Sequence, residues 1–516
     1  MIADACQPSS VVANWMKFKK FFTFWLFAVA FLVNSCSGVI GSTGSGTSNG
    51  KGGSIALVLT LRAIPLTPPP NTNLLSFRVT VVGVSMTRSM GHSISVPLNS
   101  NSYQVDLTKL QSDSAFLGSS AAIPPDTYTN MVVSLSNPVV TYCTQTQGIT
   151  GCSPGSVKTL TGGSAAPIIA TTPFPLTLAA GQTTGLAVNF DLGNALTVNP
   201  QTQAITNVNL GAANVLVATA FPPVASNLPT SAFDFVGDVT GVITSVNVPA
   251  QTVVVQTATQ GSITAIASNS TIVSPNCTTF NLGSTFTCAK QGQVASLDMT
   301  LDANGTFSLL EYDPLAINPG DWIEGIVGLP PSSSTQFQMV TNDVIVAPSN
   351  SLIGQNLSQA TPVSVTLVNP QPFVVDTKGL TVPTTPFTGS TDTSVLLPGV
   401  TVSVHVIAFT PASGTAPAAA NADFVYLRFT RVTGTVANPA PPNAFTMQSF
   451  PSFFGLTVPV TVQLSTESPS TSFEGISSAS GLVVGQPVSI RALYFGPPTG
   501  PTPTPTPFSA AEVRVP

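Results

Sequence analysis

Side chains that could perform acid–base chemistry are scarce in this chain of 516 residues, of which only 7% are charged. The closest acidic pairs are Glu311 with Asp313 and Asp321 with Glu324. Glycoside hydrolases place two carboxyl groups across the scissile bond, so these four residues are candidates for hydrolysis of a glycan or a peptide. A simpler interpretation is favoured for both pairs: a solvated strand end whose charges protect a sheet edge from aggregation.

The two histidines give a weaker indication of catalysis. His92 lies in a Gly-Ser turn context, and His405 lies in the alternating strand Val402–Val406. A repeat with an offset of 86 residues places Arg491 at the position of His405. A general base would not be replaced by arginine on the same scaffold, so we expect a polar, outward-facing strand position in both copies.

The sequence lacks the motifs of several functional classes. The sequence has no Walker loop, dinucleotide fingerprint or HExxH motif, and a hairpin turn explains Asp302-Ala303-Asn304-Gly305 better than a calcium loop. From Cys36 onward, 12 basic residues stand against 19 acidic ones, without a basic stripe for phosphates. We therefore predict no metal, no cofactor, no nucleotide and no nucleic-acid partner.

Four cysteines fall into two close pairs, Cys143 with Cys152 and Cys277 with Cys288. Three connectivities are possible, and local pairing is the simplest because each pair flanks a short polar loop. Disulfides Cys143–Cys152 and Cys277–Cys288 would imply an oxidising compartment.

Residues 16–36 indicate export. They read MKFKKFFTFWLFAVAFLVNSC, with a basic start, an apolar core and a lipobox-like end at Cys36, the predicted site of lipid attachment. Residues 1–15 are then an upstream extension before the true start at Met16, and residues 37–53 form a Gly/Ser tether. The alternative is an uncleaved membrane helix over residues 21–40. Ser37 after the anchor favours the outer membrane in a Gram-negative bacterium.

The elements that carry these residues are predicted to be strands. Residues 54–220 contain β-rich runs such as Ile55–Leu61 and Phe77–Val84, with turns between them, and only Leu107–Leu117 could be a short helix. This pattern predicts a β-sandwich.

The second half of the chain repeats. Residues 385–429 align with 471–515 without a gap, and upstream hairpins from Gly325, Gly434 and Gly241 match one another. We infer three tandem modules at 233–318, 319–430 and 431–516, each compatible with a small five-stranded barrel. The predicted fold class is therefore all-β: an N-terminal β-sandwich followed by three tandem small β-barrel or sandwich modules.

Residues 53–220 resemble the N-terminal domain of uncharacterised bacterial exported lipoproteins, a domain of unknown function. The matching segments are GSIALVLTL, YQVDL, IPPDTYTNMVVSLS and AAGQTTGLAVNFDL. The resemblance implies a transthyretin-like or immunoglobulin-like sandwich and no assigned activity. The three modules resemble a second family of unknown function that is found in exported bacterial proteins.

Together these observations predict a cell-envelope lipoprotein, tethered to the membrane through its lipid, with a non-catalytic binding or structural role. Its partners would be a glycan or an envelope protein, met through strand edges and Thr/Ser-rich faces. The alternatives are an envelope hydrolase that uses the paired carboxylates and a spacer subunit of an envelope complex.

Overall fold

The residues that the structure describes are mainly β-strand, 60% against 4% helix, so the all-β fold class is confirmed. The computed structural model describes residues 55–66, 73–101, 103–144, 151–152, 155–162, 168–170, 173–221, 224–225, 232–273, 288–303, 305–315, 320–347, 351–353, 362–382, 387–414, 416–440, 442–456, 459–467, 469–496 and 507–516. All of these belong to one compact unit, Gly52–Pro516.

Among the described residues, fourteen strands, β1–β14, build the N-terminal part, which we call the sandwich. They are β1 (Ile55–Ile64), β2 (Asn73–Arg88), β3 (Ser93–Val96), β4 (Tyr103–Asp106), β5 (Ala115–Ile123), β6 (Asp126–Cys143), β7 (Val157–Thr161), β8 (Ile168–Ala170), β9 (Leu176–Leu178), β10 (Gln182–Asp191), β11 (Leu196–Val198), β12 (Ile205–Val208), β13 (Leu216–Ala220) and β14 (Val224–Ala225). One sheet has the order β13-β10-β1-β5 and the other has the order β3-β2-β6-β7. A single-turn helix, α1 (Leu192–Ala195), follows β10.

The two sheets bury their apolar faces against each other. Phe77 of β2 and Phe190 of β10 are both fully buried and meet edge to face, with ring centroids 5.7 Å apart. The predicted helix over Leu107–Leu117 is wrong, because only Lys109–Gln111 form a 3₁₀ turn and β5 begins at Ala115. The start of β5 instead pairs with the end of β1, whose ladder satisfies its backbone groups.

In the described part of the second half, eighteen further strands form three sheets of six. Barrel 1 contains β15 (Ala232–Asn247), β16 (Thr252–Gln256), β17 (Ser262–Ile266), β18 (Ile272–Val273), β19 (Val294–Asp302) and β20 (Phe307–Pro314). Barrel 2 contains β21 (Asp321–Ser333), β22 (Gln336–Ile345), β23 (Pro362–Leu367), β24 (Val374–Val375), β25 (Thr401–Thr410) and β26 (Ala418–Arg428). Barrel 3 contains β27 (Thr430–Ala440), β28 (Ala444–Gln448), β29 (Val460–Leu464), β30 (Ser472–Glu474), β31 (Pro487–Tyr494) and β32 (Phe508–Arg514). Further 3₁₀ turns lie at Thr393–Val395, Ser452–Phe454 and Ala479–Gly481.

The three sheets share one topology. Each has the strand order third, second, first, fourth, fifth, sixth, and in each the third strand also pairs in parallel with the fifth. That extra pairing closes five strands into a barrel, which removes the exposed edges of the sheet. The short sixth strand adds to the outside of the fifth.

A glycine at the same place in each first strand has a steric cause. A Cβ on Gly241, Gly325 or Gly434 would lie 2.3, 2.3 or 2.6 Å from a carbonyl oxygen of the neighbouring second strand. These glycines therefore allow the first and second strands to approach closely where the barrel bends.

Strand pairing also corrects the repeat alignment. His405 pairs with Phe424 in barrel 2, and its counterpart Arg491 pairs with Glu512 in barrel 3. The offset is therefore 86 residues in the fourth strands but 88 in the fifth, so the gapless alignment is wrong by two residues there. A register shift follows both His405 and Arg491, and a third follows Asp298 of barrel 1.

Candidate functional site

The four acidic residues that the sequence singled out are buried. Glu311 and Asp313 lie on β20, Asp321 and Glu324 lie on β21, and their exposed fractions are 3%, 0%, 1% and 1%. The prediction of solvated strand ends is therefore wrong for both pairs. Because a buried carboxylate needs compensating partners, the environment of each group decides what it can do.

Asp321 is separate from the other three and holds a backbone segment. Its carboxylate accepts hydrogen bonds from the backbone N–H groups of Ala347 (3.2 Å), Ile353 (3.0 Å) and Leu352. Such an arrangement fixes the chain after β22 and leaves the carboxylate without a free face for chemistry.

Glu311 and Asp313 surround the ammonium group of Lys378, which follows β24 and is itself buried. Its Nζ atom lies within 4 Å of five carboxylates: Asp313 (2.7 Å), Asp238 (3.3 Å), Asp298 (3.5 Å), Asp376 (3.6 Å) and Glu311 (3.7 Å). Barrel 1 supplies four of these acids and barrel 2 supplies the lysine, so the contact joins the two barrels.

Arg428, at the end of β26, is fully buried and extends the same contact. Its guanidinium donates to Asp376 (2.6 Å), Glu324 (3.2 Å), Asp238 (3.2 Å) and the hydroxyl of Ser296 (2.6 Å). Glu324 is therefore paired within barrel 2, while Asp238 and Ser296 belong to barrel 1.

Barrel 3 adds two arginines. Arg491 donates to Asp238 (3.0 Å) and Asp298 (2.8 Å), and Arg431 pairs with Asp113 (2.7 Å) and Asp238. Arg491 is only 2% exposed, so the predicted outward-facing position is wrong for this residue. We call this group the ionic cluster; its carboxylates are Asp113, Asp238, Asp298, Glu311, Asp313, Glu324 and Asp376, and its cations are Lys109, Lys378, Arg428, Arg431 and Arg491.

Equivalent positions of the three barrels carry different chemistry. Barrel 3 has Arg431 opposite Arg491, barrel 2 has Trp322 opposite His405, and barrel 1 has an acidic residue in the fourth strand, Asp298. The acidic face of barrel 1 thus meets the basic face of barrel 3. The charges in these faces are paired between modules of one chain.

His405 lies outside the ionic cluster. Its Nδ1 atom is 2.7 Å from Oδ1 of Asp423, and its ring lies 5.3 Å from that of Trp322. The side chain is one-fifth exposed and is held between these two partners.

The sandwich contacts the ionic cluster through the turn between β4 and β5. Lys109 donates a hydrogen bond to Glu324 at 2.7 Å, and Asp113 accepts a hydrogen bond from Arg431. Next to it, Arg514 of β32 donates to the backbone carbonyls of Leu110 (3.1 Å) and Asp113 (2.7 Å). Residues of the sandwich and of all three barrels therefore meet in one buried network.

The electrostatics divide the acids into two groups. Burial alone would raise the pKa of Glu324, but Lys109 and Arg428 outweigh it and lower the pKa to about 2. Burial and the nearby carboxylate of Asp313 raise the pKa of Asp376 to about 7 and that of Glu311 well above its usual range, although Lys378 opposes both shifts. Negative charge is thus well compensated at Glu324 and poorly compensated around Glu311.

Two oxygen atoms reflect this shortage of partners. Oε1 of Glu311 and Oδ1 of Asp313 are buried and have no hydrogen-bond partner among the described residues. Together with Asp376, these side chains offer one oxygen each within 4.8 Å of one another, an arrangement that could hold a metal ion.

The cavities beside the ionic cluster are small. One of about 70 Å³ lies between Lys109, Thr401 and Arg431, and one of about 50 Å³ lies between Asp113, Asp238 and Arg431. Pockets for small organic ligands are typically ~300–1,000 Å³, so these cavities fit a few water molecules and no sugar ring.

The first predicted disulfide, Cys143–Cys152, is confirmed, with its Cα atoms 5.7 Å apart. The loop that it closes contacts two barrels: Gly151 donates its N–H to the carbonyl of Phe453, and Cys152 donates to the carbonyl of Gly328. The second predicted bond, Cys277–Cys288, involves Cys277, which lies outside the described residues, as does the predicted lipidation site Cys36.

The comparisons with known proteins assign the sandwich only. Residues 63–207 match the family described as Domain of unknown function (DUF4382). This match confirms the predicted resemblance to a domain of unknown function and assigns no activity. No curated protein and no solved structure matches the chain. Among the described residues, no helix is long and apolar enough to cross a membrane.

Proposed function

We propose that this chain is an exported lipoprotein of the bacterial cell envelope, sorted to the outer membrane through Ser37 after the anchor, with a non-catalytic structural or binding role. Lipid on Cys36 would hold it at the membrane, and the Gly/Ser tether of residues 37–53 would separate the β-domains from the surface. The disulfide Cys143–Cys152 supports an oxidising compartment.

One observation carries the non-catalytic role: the carboxylates that could serve hydrolysis bind the β-domains to one another. Glu311 and Asp313 face a buried lysine, and Glu324 faces Arg428 and Lys109. A glycosidase needs its two carboxyl groups on either side of an accessible bond. The cavities beside this cluster are too small to admit a sugar, so the geometry favours a structural role for these carboxylates over hydrolysis.

The partner that binds to the surface of these β-domains would be a glycan or an envelope protein. The sandwich and the barrels form one compact unit, which suits a stable display surface, and a spacer that holds another subunit away from the membrane is the related possibility. Pull-down from envelope extracts distinguishes the two, because a spacer retains its assembly partners whereas a glycan-binding protein is eluted by the glycan.

The anchor is tested by radiolabelled palmitate in cells that express the wild-type chain or Cys36→Ala. We expect label and membrane fractionation for the wild type and loss of both for the variant. Label that persists in Cys36→Ala would contradict the anchor. For the non-catalytic role, turnover of envelope polysaccharides by the purified protein that is abolished by Glu311→Gln would contradict the proposal.

A further inference from the structure

We propose that Glu311, Asp313 and Asp376 bind one hard divalent cation within the ionic cluster, and that Ca²⁺ fits the site best. One carboxylate oxygen of each residue lies within 4.8 Å of the other two. Ca²⁺ takes six to eight oxygen ligands at about 2.3–2.6 Å in flexible geometry, including carboxylates supplied by the protein. Mg²⁺ demands a near-ideal octahedron and usually keeps several waters, so a buried site built from three carboxylates suits Ca²⁺ better.

An independent observation comes from Glu311, whose side chain is only 4% exposed. This side chain forms no hydrogen bond with any described residue, the nearest cation is Lys378 at 3.7 Å, and the Oε1 atom has no partner. The Oδ1 atom of Asp313 is also buried and has no hydrogen-bond partner among the described residues. Leaving a buried acceptor unsatisfied is unfavourable, and more so for a charged group, so a cation bound to both oxygens would be stabilising.

Lys378 does not occupy these bare oxygens. Its ammonium group lies 2.7 Å from Oδ2 of Asp313 and 3.7 Å from Oε2 of Glu311. The lysine and a bound ion would therefore use different oxygens of the same two carboxylates.

The charge of the ionic cluster points in the same direction. It contains seven acidic side chains and five basic ones, even when the half-buried Lys109 is counted, so acids outnumber bases by two. A bound divalent cation would favour the ionised form of Glu311 and Asp376. Because the donors are all carboxylate oxygens, they match Ca²⁺ or Mg²⁺ and not the softer metals that prefer nitrogen or sulfur.

Equilibrium dialysis of the full-length chain with ⁴⁵Ca²⁺, after exhaustive removal of metal by a chelator, tests the proposal without any substitution. We expect about one tightly bound Ca²⁺ per chain, together with a rise in the thermal unfolding midpoint that Na⁺ at equal ionic strength does not reproduce. No stoichiometric binding, or a midpoint that does not respond to Ca²⁺, would overturn the proposal.

Variants locate the ion. Glu311→Gln and Asp376→Asn should each lose the bound ⁴⁵Ca²⁺ and the Ca²⁺-dependent rise in midpoint. Glu512→Gln is the matched control, because Glu512 is also a buried acid but is not one of the three ligands, and it should bind Ca²⁺ as the wild type does. Circular dichroism identifies variants that remain folded, and a folded Glu311→Gln or Asp376→Asn that keeps wild-type stoichiometry would place the ion elsewhere and overturn the assignment.

Discussion

Arg428 shows how a single residue can connect several modules. It is fully buried, and its guanidinium contacts acids on barrel 1 and barrel 2 at the same time. Removing one partner of a buried ion pair leaves uncompensated charge, which costs much more than the net value of an intact pair. The ionic cluster is therefore stable only while each buried charge keeps its partners, and the loss of one member destabilises the fold.

We predict that Arg428→Leu lowers the free energy of unfolding by about 3–5 kcal/mol, because Asp376, Glu324 and Asp238 lose a buried partner. Arg88→Leu is the control, since Arg88 pairs with Asp126 at the surface of the sandwich and its side chain is 31% exposed. Chemical denaturation should show a loss of at most about 1 kcal/mol for the control. Equal losses in the two variants would contradict the importance of burial.

Glu512 gives a pH-dependent prediction. Burial raises its pKa from 4.5 to about 8, because Arg514 and Arg491 offset only part of the desolvation. Between these values the folded chain keeps a proton that the unfolded chain releases, so the free energy of unfolding falls as the pH rises. Glu512→Gln should therefore match the wild type near pH 4 and become more stable than it towards pH 8, by up to about 1.4 kcal/mol per pH unit. Denaturation of both proteins across this range measures the difference, and parallel pH profiles would contradict the shift.

At the scale of the elements, the barrels repeat their topology while their faces differ. The first strands approach the second strands closely at Gly241, Gly325 and Gly434. The fourth strands shift register against the fifth at equivalent positions, after Asp298, His405 and Arg491. The backbone conformation is thus repeated in the three barrels. The side chains at this equivalent position, Asp298, His405 and Arg491, differ in charge.

Gly325→Ala should destabilise the protein by about 1–3 kcal/mol, because the new methyl group would lie 2.3 Å from the carbonyl oxygen of Val340. Gly83→Ala in β2 is the control: a Cβ there meets no atom within 4 Å, so the change should be neutral or slightly stabilising. Thermal unfolding of both variants checks this, and a neutral Gly325→Ala would show that the strands separate easily.

The sequence predicted these elements better than their contacts. The sequence pattern identified strands such as Phe77–Val84, which lies within β2, and the repeated hairpins that begin at Gly241, Gly325 and Gly434 indicated the barrels. It did not predict the ionic cluster, because periodicity shows which face of a strand is buried in its own sheet and not which faces of separate barrels meet. Lys378 and Asp376 lie outside the long strands, where pattern gives no position. A signal did exist: in a chain with 7% charged residues, Asp298 and Arg428 interrupt apolar strands.

At the scale of the whole molecule, one acid joins the modules. Asp238 of β15 contacts Lys378 and Arg428 of barrel 2 and Arg431 and Arg491 of barrel 3. These four cations, against the opposing effect of burial, hold its pKa well below the usual range, so it is ionised at neutral pH. We therefore expect the ionic cluster to make the three barrels unfold as one cooperative unit.

Hydrogen exchange, followed by mass spectrometry, of the wild type and Asp238→Asn tests this claim most directly. The substitution keeps the shape of the side chain and removes the charge shared by four cations. We predict faster exchange in strands of all three barrels at once, including β26 and β31, which carry Arg428 and Arg491. Faster exchange confined to β15 and its neighbours in barrel 1 would contradict the claim that the ionic cluster couples the modules.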